Sequence, residues 1–236
     1  MSTLFISDLH LSKERPHITA AFFAFLNQHI LQPEKKLPIC DRLYILGDFF
    51  DAWIGDDDES PLMSDVADEL QKAALGGTQI FFQHGNRDFL LGEQYAARCG
   101  MTLLPELFVW EHQGERCLLA HGDQFCTADT DYQQFRSLVR NPAWQSEILS
   151  KPLTERRAIA AQMRAESRDA TSIKAESITD VTQSEIEQAL LTHHCKRLIH
   201  GHTHRPARHA IVLPDGTKAE RLVLGEWADN GFCRIK

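Results

Sequence analysis

Five short apolar runs along the chain each end in residues that can bind a metal ion. The run Leu43–Leu46 is rich in strand formers and stops at Gly47-Asp48, which predicts a buried strand with a carboxylate at its carboxyl end. Alone, that pattern is typical of an ordinary turn. The same layout recurs in four other segments, which run from Leu4 to His10, from Ile80 to Asn86, from Cys117 to His121 and from Leu198 to His204. The repetition favours a sheet whose strand ends carry metal ligands.

Helical patterns occupy much of the sequence between these runs. Apolar spacing predicts helices at 18–30, 61–74, 93–99 and 184–191, and a hairpin with strands at 107–110 and 116–120. Final strands are expected at 221–224 and 232–235. The mixture predicts an α/β fold.

The segment from Asp129 to Asp180 has a different character, because strand signals vanish and helix formers dominate. Breaks at Asn141-Pro142 and Lys151-Pro152 divide it into short helices. We therefore expect a helical cap over the strand ends, inserted at 129–180 in a single domain that spans residues 1–236. A chain of 236 residues with 43% hydrophobic content can bury such a core.

Composition excludes several classes of protein. The net charge of −8 argues against a nucleic-acid binder, which would normally be basic. The six cysteines are scattered without close pairs, so a reducing cytoplasm is the simpler expectation. Neither a secretory signal nor a membrane-spanning run is evident, although the protein could still lie against a bilayer. The sequence gives no sign of an obligate protein partner.

The candidate metal ligands are carboxylate, amide and imidazole groups, namely Asp8, His10, Asp48, Asn86, His121, His202 and His204. Such a mixture suits manganese, iron or zinc better than calcium. Seven ligands exceed one tetrahedral site and fit two ions that share Asp48, about 3.5 to 4 Å apart. Asp88 is expected to hold its loop. The acids at 56–59 lack calcium-loop spacing and are interpreted as a solvated loop.

The order of these motifs resembles that of calcineurin-like metallophosphoesterases. The matching elements are Asp8 with His10, Gly47-Asp48 with Asp51, Gly85-Asn86 with Asp88, His121-Gly122, and Gly201-His202 with His204. The resemblance implies two packed mixed β-sheets flanked by helices. It also implies a first ion on Asp8, His10 and His204, a second on Asn86, His121 and His202, and Asp48 bridging both. A non-enzymatic scaffold would usually have lost ligands, and none of the seven is missing.

Arg87 narrows the expected substrate. Many members of that family have histidine at this position, where it can protonate an alkoxide leaving group. Arginine stays charged and can only stabilise developing negative charge. That suits cleavage of a phosphoric anhydride, because a departing phosphate monoester has a second pKa of about 6 and needs little protonation.

One branch of the family is especially similar. The shared segments are 53–57, 85–88, 180–181 and 200–206, and the branch hydrolyses UDP-2,3-diacylglucosamine in the lipid A biosynthesis of Gram-negative bacteria. The resemblance implies two Mn²⁺ ions, water attack at the α phosphorus, and release of UMP and 2,3-diacylglucosamine 1-phosphate at the cytoplasmic face of the inner membrane. A generic dinuclear phosphodiesterase or nucleotide phosphatase is the alternative.

The same resemblance implies roles for individual residues. Asp48, Asn86, Arg87 and His121 would be catalytic. Substrate contacts would fall on Asn86, Arg87, Asp129, Ser167, Thr171, Lys174 and His202. Ser167 and Thr171 are one helical turn apart, so they could equally be a plain polar helix face.

The cap departs from the family pattern, in which residues 144–163 are strongly apolar. Here polar residues interrupt an apolar stripe formed by Trp144, Ile148, Leu149 and Leu153. The stripe could contact acyl chains while Arg156, Arg157 and Arg164 meet anionic headgroups. It could equally belong to a soluble helical pair that packs on its own domain.

Overall fold

Two five-stranded sheets form the centre of the fold in the described residues. The structure is a computed structural model and describes residues 2–31, 40–172, 178–227 and 232–235. The first sheet contains β1 (Thr3–Ile6), β2 (Arg42–Leu46), β3 (Gln79–Gln83), β4 (Met101–Leu103) and β10 (Phe232–Ile235), in the order β10-β1-β2-β3-β4. Only β10 runs antiparallel to its neighbour. The carboxyl ends of β1, β2 and β3 therefore lie along one edge.

The second sheet is also mixed. It contains β5 (Phe108–His112), β6 (Glu115–Leu119), β7 (Arg197–His200), β8 (Ala207–Val212) and β9 (Lys218–Val223), in the order β5-β6-β7-β9-β8. Strands β6 and β7 are parallel, with Leu119 opposite Ile199. Their carboxyl ends deliver the two histidine-bearing loops to the same side of the molecule.

Apolar side chains from both sheets form the core between them. Phe5 and Tyr44 of the first sheet stack at 5.2 Å between ring centroids, and Trp110 of the second meets Phe5 edge-on at 5.1 Å. Cys117, Leu119 and Ile199 complete this buried cluster with their neighbours. This packing holds the two sets of strand ends in a fixed relation.

Helices cover the outer faces of the sheets. They are α1 (Pro16–His29), α2 (Pro61–Leu75), α3 (Glu93–Cys99) and α7 (Gln183–Thr192). Fully buried Phe22, Leu26, Val66 and Leu70 pack the first two helices into the core. The predicted fold class, two packed mixed sheets flanked by helices, is confirmed. Strands β4 and β8 were not predicted.

Three helices lie within the predicted cap, namely α4 (Thr130–Val139), α5 (Pro142–Leu149) and α6 (Leu153–Ser172). The breaks predicted at Asn141-Pro142 and Lys151-Pro152 are confirmed. The Asn141 side chain accepts a hydrogen bond from the amide of Ala143, and Pro142 occupies the first turn, where its missing N–H costs nothing. Within the described residues, no helix is long and apolar enough to cross a membrane.

The acidic loop after β2 differs from its interpretation as a solvated loop. The Asp56 carboxylate accepts hydrogen bonds from the indole of Trp53 and from the amides of Gly92 and Tyr95 at 2.8 to 3.1 Å, so it caps the start of α3. Asp57 and Asp58 form ion pairs with Arg156 and Arg157 on the cap. The loop thus fastens the cap to the sheets.

The expectation that Arg156 faces lipid headgroups is wrong. Its side chain is only 4% exposed, and it donates to the carbonyl oxygens of Ile54 and Lys151 as well as to Asp57. Arg164 is also turned inward, toward Asp51 at 2.6 Å. Arg157 keeps an exposed side chain.

Candidate active site

The predicted ligand residues converge from five strand ends on both sheets. Asp8 and His10 follow β1, Asp48 follows β2, Asn86 follows β3, and His121 follows β6. His202 and His204 follow β7. Parallel strands expose their carboxyl ends at one edge, so a pattern spread over 197 positions becomes one cluster.

The first group contains the candidate ligands Asp8, His10 and His204. The Nε2 atoms of His10 and His204 are 3.3 Å apart, and His204 Nε2 is 3.3 Å from Asp8 Oδ1. Ser7 Oγ and the amide of His202 donate hydrogen bonds to the Asp8 carboxylate. These donors fix the carboxylate while leaving it close to both imidazoles.

The second group contains Asn86, His121 and His202. His121 Nε2 and His202 Nδ1 each lie 3.0 Å from the amide oxygen of Asn86. His121 Nδ1 lies 2.9 Å from the carbonyl oxygen of Leu46, so that nitrogen carries the proton and Nε2 presents its lone pair to the cluster.

Asp48 lies between the two groups. Its Oδ1 atom is 3.7 Å from His121 Nε2, and its Oδ2 atom is 3.8 Å from His10 Nδ1. One carboxylate therefore faces a nitrogen of each group. His200 contributes to neither group, since its ring is fully buried and its Nδ1 lies against the carbonyl of Gly201.

Two glycines make this close approach possible. A Cβ atom on Gly85 would lie 2.2 Å from Asp48 Oδ1, and one on Gly201 would lie 2.2 Å from Asp8 Oδ2. Any side chain at either position would displace a carboxylate of the cluster. The absence of a side chain at Gly85 and Gly201 therefore lets the backbone at these positions approach the carboxylates of Asp48 and Asp8 closely.

The electrostatics of the cluster suit cations. Burial raises the pKa of Asp48 to about 7, and the neighbouring carboxylates add to that effect. Burial lowers the pKa of His10 and of His202 to about 4, so both rings are neutral donors at pH 7. Burial would lower the pKa of His121 too, but Asp48 and Asp8 outweigh it and raise that pKa. The site thus combines the neutral imidazoles of His10 and His202 with carboxylates that favour positive charge beside them.

The donor set fits a dinuclear centre. Asp8, His10 and His204 place one ligand atom each within 4.8 Å of one another, as do Asp8, Asp48 and His121. Among the described residues, the buried Nδ1 atom of His10 lacks a hydrogen-bond partner. An unpaired buried nitrogen costs free energy, which a cation at that position would relieve.

Two neighbours of Asn86 have distinct surroundings. Asp88 is fully buried and accepts from the amides of Phe49 and Gly85 at 2.7 and 2.8 Å, as predicted for a residue that holds the loop. The amide of Arg87 donates to Asp48 Oδ1 at 2.9 Å, and its side-chain Nε lies 3.8 Å from Asp48 Oδ2. The guanidinium is thus held beside the cluster.

A cavity of about 260 Å³ opens between the cap and the sheets. Asn86 and Arg87 stand at its polar end, and most of its remaining wall is apolar, including Phe89, Leu90, Phe135, Trp144, Ile148, Ile159 and Met163. Of the predicted apolar stripe, Trp144 and Ile148 line the cavity. Leu149 instead is 41% exposed at the surface.

The predicted substrate contacts divide into two sets. Asn86, Arg87, Asp129 and Ser167 all line the cavity. His202 belongs to the ligand cluster, and its ring lies parallel to that of Tyr132 at 5.9 Å. The side chain of Thr171 and the whole of Lys174 lie outside the described residues.

Three site residues were not predicted from the sequence. Tyr132 lines the cavity and donates from its hydroxyl to the buried Asp123 at 2.8 Å. Arg140 donates to the carbonyl oxygen of Gly85 at 2.9 Å, which supports the loop of Asn86. Arg164 pairs with Asp51, itself 3.9 Å from His10. All three pairs join the cap to the sheets, and only the folded chain brings their partners together.

Comparisons with known proteins cover most of the chain. The family model for the calcineurin-like phosphoesterase matches residues 1–206. A protein of Cellvibrio japonicus named UDP-2,3-diacylglucosamine hydrolase is 54% identical over 233 residues, which cover 99% of this chain and 94% of that protein. A protein of the same name from Hahella chejuensis is 49% identical over 230 residues, which cover 98% and 91%.

Proposed function

Because the chain belongs to the calcineurin-like phosphoesterase family, we propose that it hydrolyses the pyrophosphate bond of UDP-2,3-diacylglucosamine, a step of lipid A biosynthesis. The products are UMP and 2,3-diacylglucosamine 1-phosphate. Relatives at about half identity over nearly their full length carry that activity in their names, which supports the same substrate here.

The observation that best supports this proposal is the apolar cavity, which has Asn86 of the ligand cluster and Arg87 in its wall. A nucleotide phosphatase with a soluble substrate has no need of a wall built from Phe89, Trp144, Ile159 and Met163. A lipid substrate must place its phosphates at the polar end while its acyl chains leave water. Each apolar group buried in such a wall contributes about 0.8 kcal/mol per CH₂.

In the proposed site, Asp8, His10 and His204 would hold one divalent cation, and Asn86, His121 and His202 would hold the other. Asp48 faces both groups and would supply a ligand to each cation. When bound, two such cations supply an activated water and neutralise charge on the phosphoryl group under attack. Imidazole and oxygen ligands together suit manganese, iron or zinc. The resemblance to the UDP-2,3-diacylglucosamine branch of the family is what supports manganese among these ions.

The remaining residues orient the substrate and stabilise charge. Arg87 is a cation at any physiological pH, so it neutralises the phosphate that leaves but donates no proton to it. Asn86 and His202 lie beside the phosphorus that is attacked. Asp129 and Ser167, which line the cavity, contact the substrate from the cap. The resemblance adds Thr171 and, as a phosphate contact, Lys174; the side chain of Thr171 and the whole of Lys174 lie outside the described part of the chain.

We further propose that the protein works in the cytoplasm, peripherally on the inner membrane, because its substrate has two acyl chains. The exposed apolar side chains Phe135, Leu138 and Leu149 all belong to α4 and α5 of the cap, which supports contact with a bilayer there.

A product assay tests the reaction and the metal together. The protein is stripped with a chelator, given Mn²⁺, and supplied with UDP-2,3-diacylglucosamine, UDP-glucose or a chromogenic diester. We expect UMP from the first substrate only, and in oxygen-18 water we expect the label in UMP, because water attacks the uridine-side phosphorus. Turnover of the diester alone would contradict the proposal, and label in the lipid phosphate would contradict the regiochemistry.

A further inference from the structure

A second cavity of about 230 Å³ borders the loop that carries His202 and His204, and charged or polar residues form most of its lining. Thr203, between those two histidines, lies in its wall, and so does Arg205, which follows His204 directly. This cavity shares no lining residue with the apolar one. A single water occupies about 30 Å³ in the liquid, so the space is large enough for a small planar ring.

Its wall presents one carboxylate between two guanidinium groups. Asp180 Oδ2 lies 3.3 Å from Arg205 Nη1, and Asp180 Oδ1 lies 3.7 Å from Arg221 Nη1. Burial alone would raise the pKa of Asp180, but the amide of Val181 and the two arginines outweigh it and lower that pKa. Asp180 is therefore a hydrogen-bond acceptor flanked by two donor groups.

We infer that this cavity binds the uracil ring of the substrate, an inference that rests on the proposed function. The edge of uracil presents an N3–H donor between two carbonyl oxygens, which complements an acceptor between two donors. Cytosine presents a lone pair at N3 and an amino group in place of one oxygen, so it would face Asp180 with an acceptor.

This placement gives the substrate a consistent path through the site. The acyl chains occupy the apolar cavity beyond Asn86 and Arg87, the pyrophosphate lies at the ligand cluster, and the base enters the cavity beside Thr203.

The test is a comparison of UDP-2,3-diacylglucosamine with its CDP analogue. With Mn²⁺, the kcat/KM of the wild-type protein should be higher for the uridine substrate than for the CDP analogue, on the order of tenfold or more. A site that hydrogen-bonds its ligand strongly rejects a mismatched one. Asp180→Asn should lower turnover of the uridine substrate and bring the ratio toward one, since an amide can also donate to N3 of cytosine. Asp215→Asn, on an exposed turn, is the matched control and should keep the wild-type ratio.

Binding of UMP and CMP to the wild-type protein with Mn²⁺, measured by calorimetry, needs neither a variant nor turnover. UMP should bind on the order of tenfold more tightly than CMP. Equal binding of UMP and CMP would overturn the inference. An Asp180→Asn variant whose kcat/KM falls by the same factor for the uridine and cytidine substrates would overturn it too, because Asp180 would then only join the end of the cap to the ligand loop. If the diacyl substrate is not hydrolysed at all, the proposed function fails, while the comparison of UMP with CMP still decides the role of this cavity.

Discussion

Five proposed ligand residues have a backbone conformation that L-amino acids rarely adopt. The φ angles are 56° at Asp8, 50° at His10, 51° at Asp48, 67° at His202 and 54° at His204. Such conformations cost about 1 to 3 kcal/mol each and persist where the surroundings enforce them. Here the amides of Asp8 and His10 donate to the carbonyls of Gly47 and Asp48, which ties the loops together. The strain supports a site built for its ligands.

Asp48 should be the least replaceable ligand residue. In Asp48→Ala both ions lose a ligand, so we expect loss of the paired site and a fall in kcat well beyond the roughly 10- to 100-fold typical of lost supporting contacts. Metal analysis after dialysis, together with turnover, measures this. His10→Ala is the comparison and should retain more metal, because Asp8 and His204 remain for its ion. Two tightly bound ions in the Asp48 variant would show that it does not bridge.

Arg87 should act mainly in the transition state. Arg87→Ala removes the cation beside Asp48, and we expect kcat to fall by about 10²- to 10³-fold, the usual effect of losing one charge-stabilising group. KM should change little. Arg87→Lys should recover part of the rate, because it keeps the charge but not the fork of donors. A raised KM with normal kcat would instead assign Arg87 to ground-state binding.

At the scale of single residues, the sequence predicts functional side chains well where they directly follow a strand. Each of the seven ligands follows a short apolar run, so their meeting at one sheet edge is predictable. Arg156 shows the limit, because nothing in its local sequence indicates that Asp57, 99 residues away, lies beside it. The same holds for Tyr132, whose hydrogen bond to Asp123 depends on how the cap packs.

At the scale of elements, strand prediction failed where the pattern is short or polar. Strand β4 has three residues and directly follows the helix-ending Gly100, whose φ is 69°. Strand β8 is an edge strand, so its Arg208 and Ala210 face solvent and only Ile211 is buried. The cap helices were predictable, by contrast, because proline marks both breaks.

Helix α6 should discriminate acylated from deacylated substrate. Met163 lines the apolar cavity, and Met163→Gln should lower kcat/KM for the diacyl substrate by about tenfold, since a buried apolar side chain contributes about 1.5 to 3 kcal/mol and 1.4 kcal/mol corresponds to one decade. The deacylated analogue should be unaffected. Leu75→Gln, at an exposed position of α2 outside the cap, is the control. Equal losses on both substrates would mean that α6 is only structural.

The pairing between the acidic loop and α6 should stabilise the cap. Arg156→Gln leaves the carbonyl oxygens of Ile54 and Lys151 without their donor, and we expect a loss of about 1 to 3 kcal/mol in the free energy of unfolding, measured by urea titration. Arg157→Gln breaks one pair on an exposed side chain and should cost at most about 1 kcal/mol. Similar small losses in both variants would refute a structural role for Arg156.

At the scale of the whole molecule, the cap and the sheets carry different parts of the chemistry. The sheets bring the ligands together, while the cap supplies the apolar wall and holds both Asp123 and the Asn86 loop through Arg136 and Arg140. A substrate that is part nucleotide and part lipid requires both surfaces at once. The cap also groups three exposed apolar side chains, Phe135, Leu138 and Leu149, on two consecutive helices, which is why we propose this side for contact with a bilayer.

That preference is testable with vesicles. Leu138 is 53% exposed and Leu149 is 41% exposed, both on cap helices, so the double change Leu138→Asn with Leu149→Asn should weaken sedimentation with anionic vesicles. Leu75 and Val212 are even more exposed, at 83% and 68%, but lie on α2 and β8, so the same change there is a matched control that should leave binding intact. Since Arg156 and Arg164 are paired within the protein, added salt should weaken binding only modestly.

If the two double variants lost binding equally, association would not depend on the cap. If neither lost it, these side chains would not be the membrane contact, and the acyl chains would have to reach the cavity without docking of the cap.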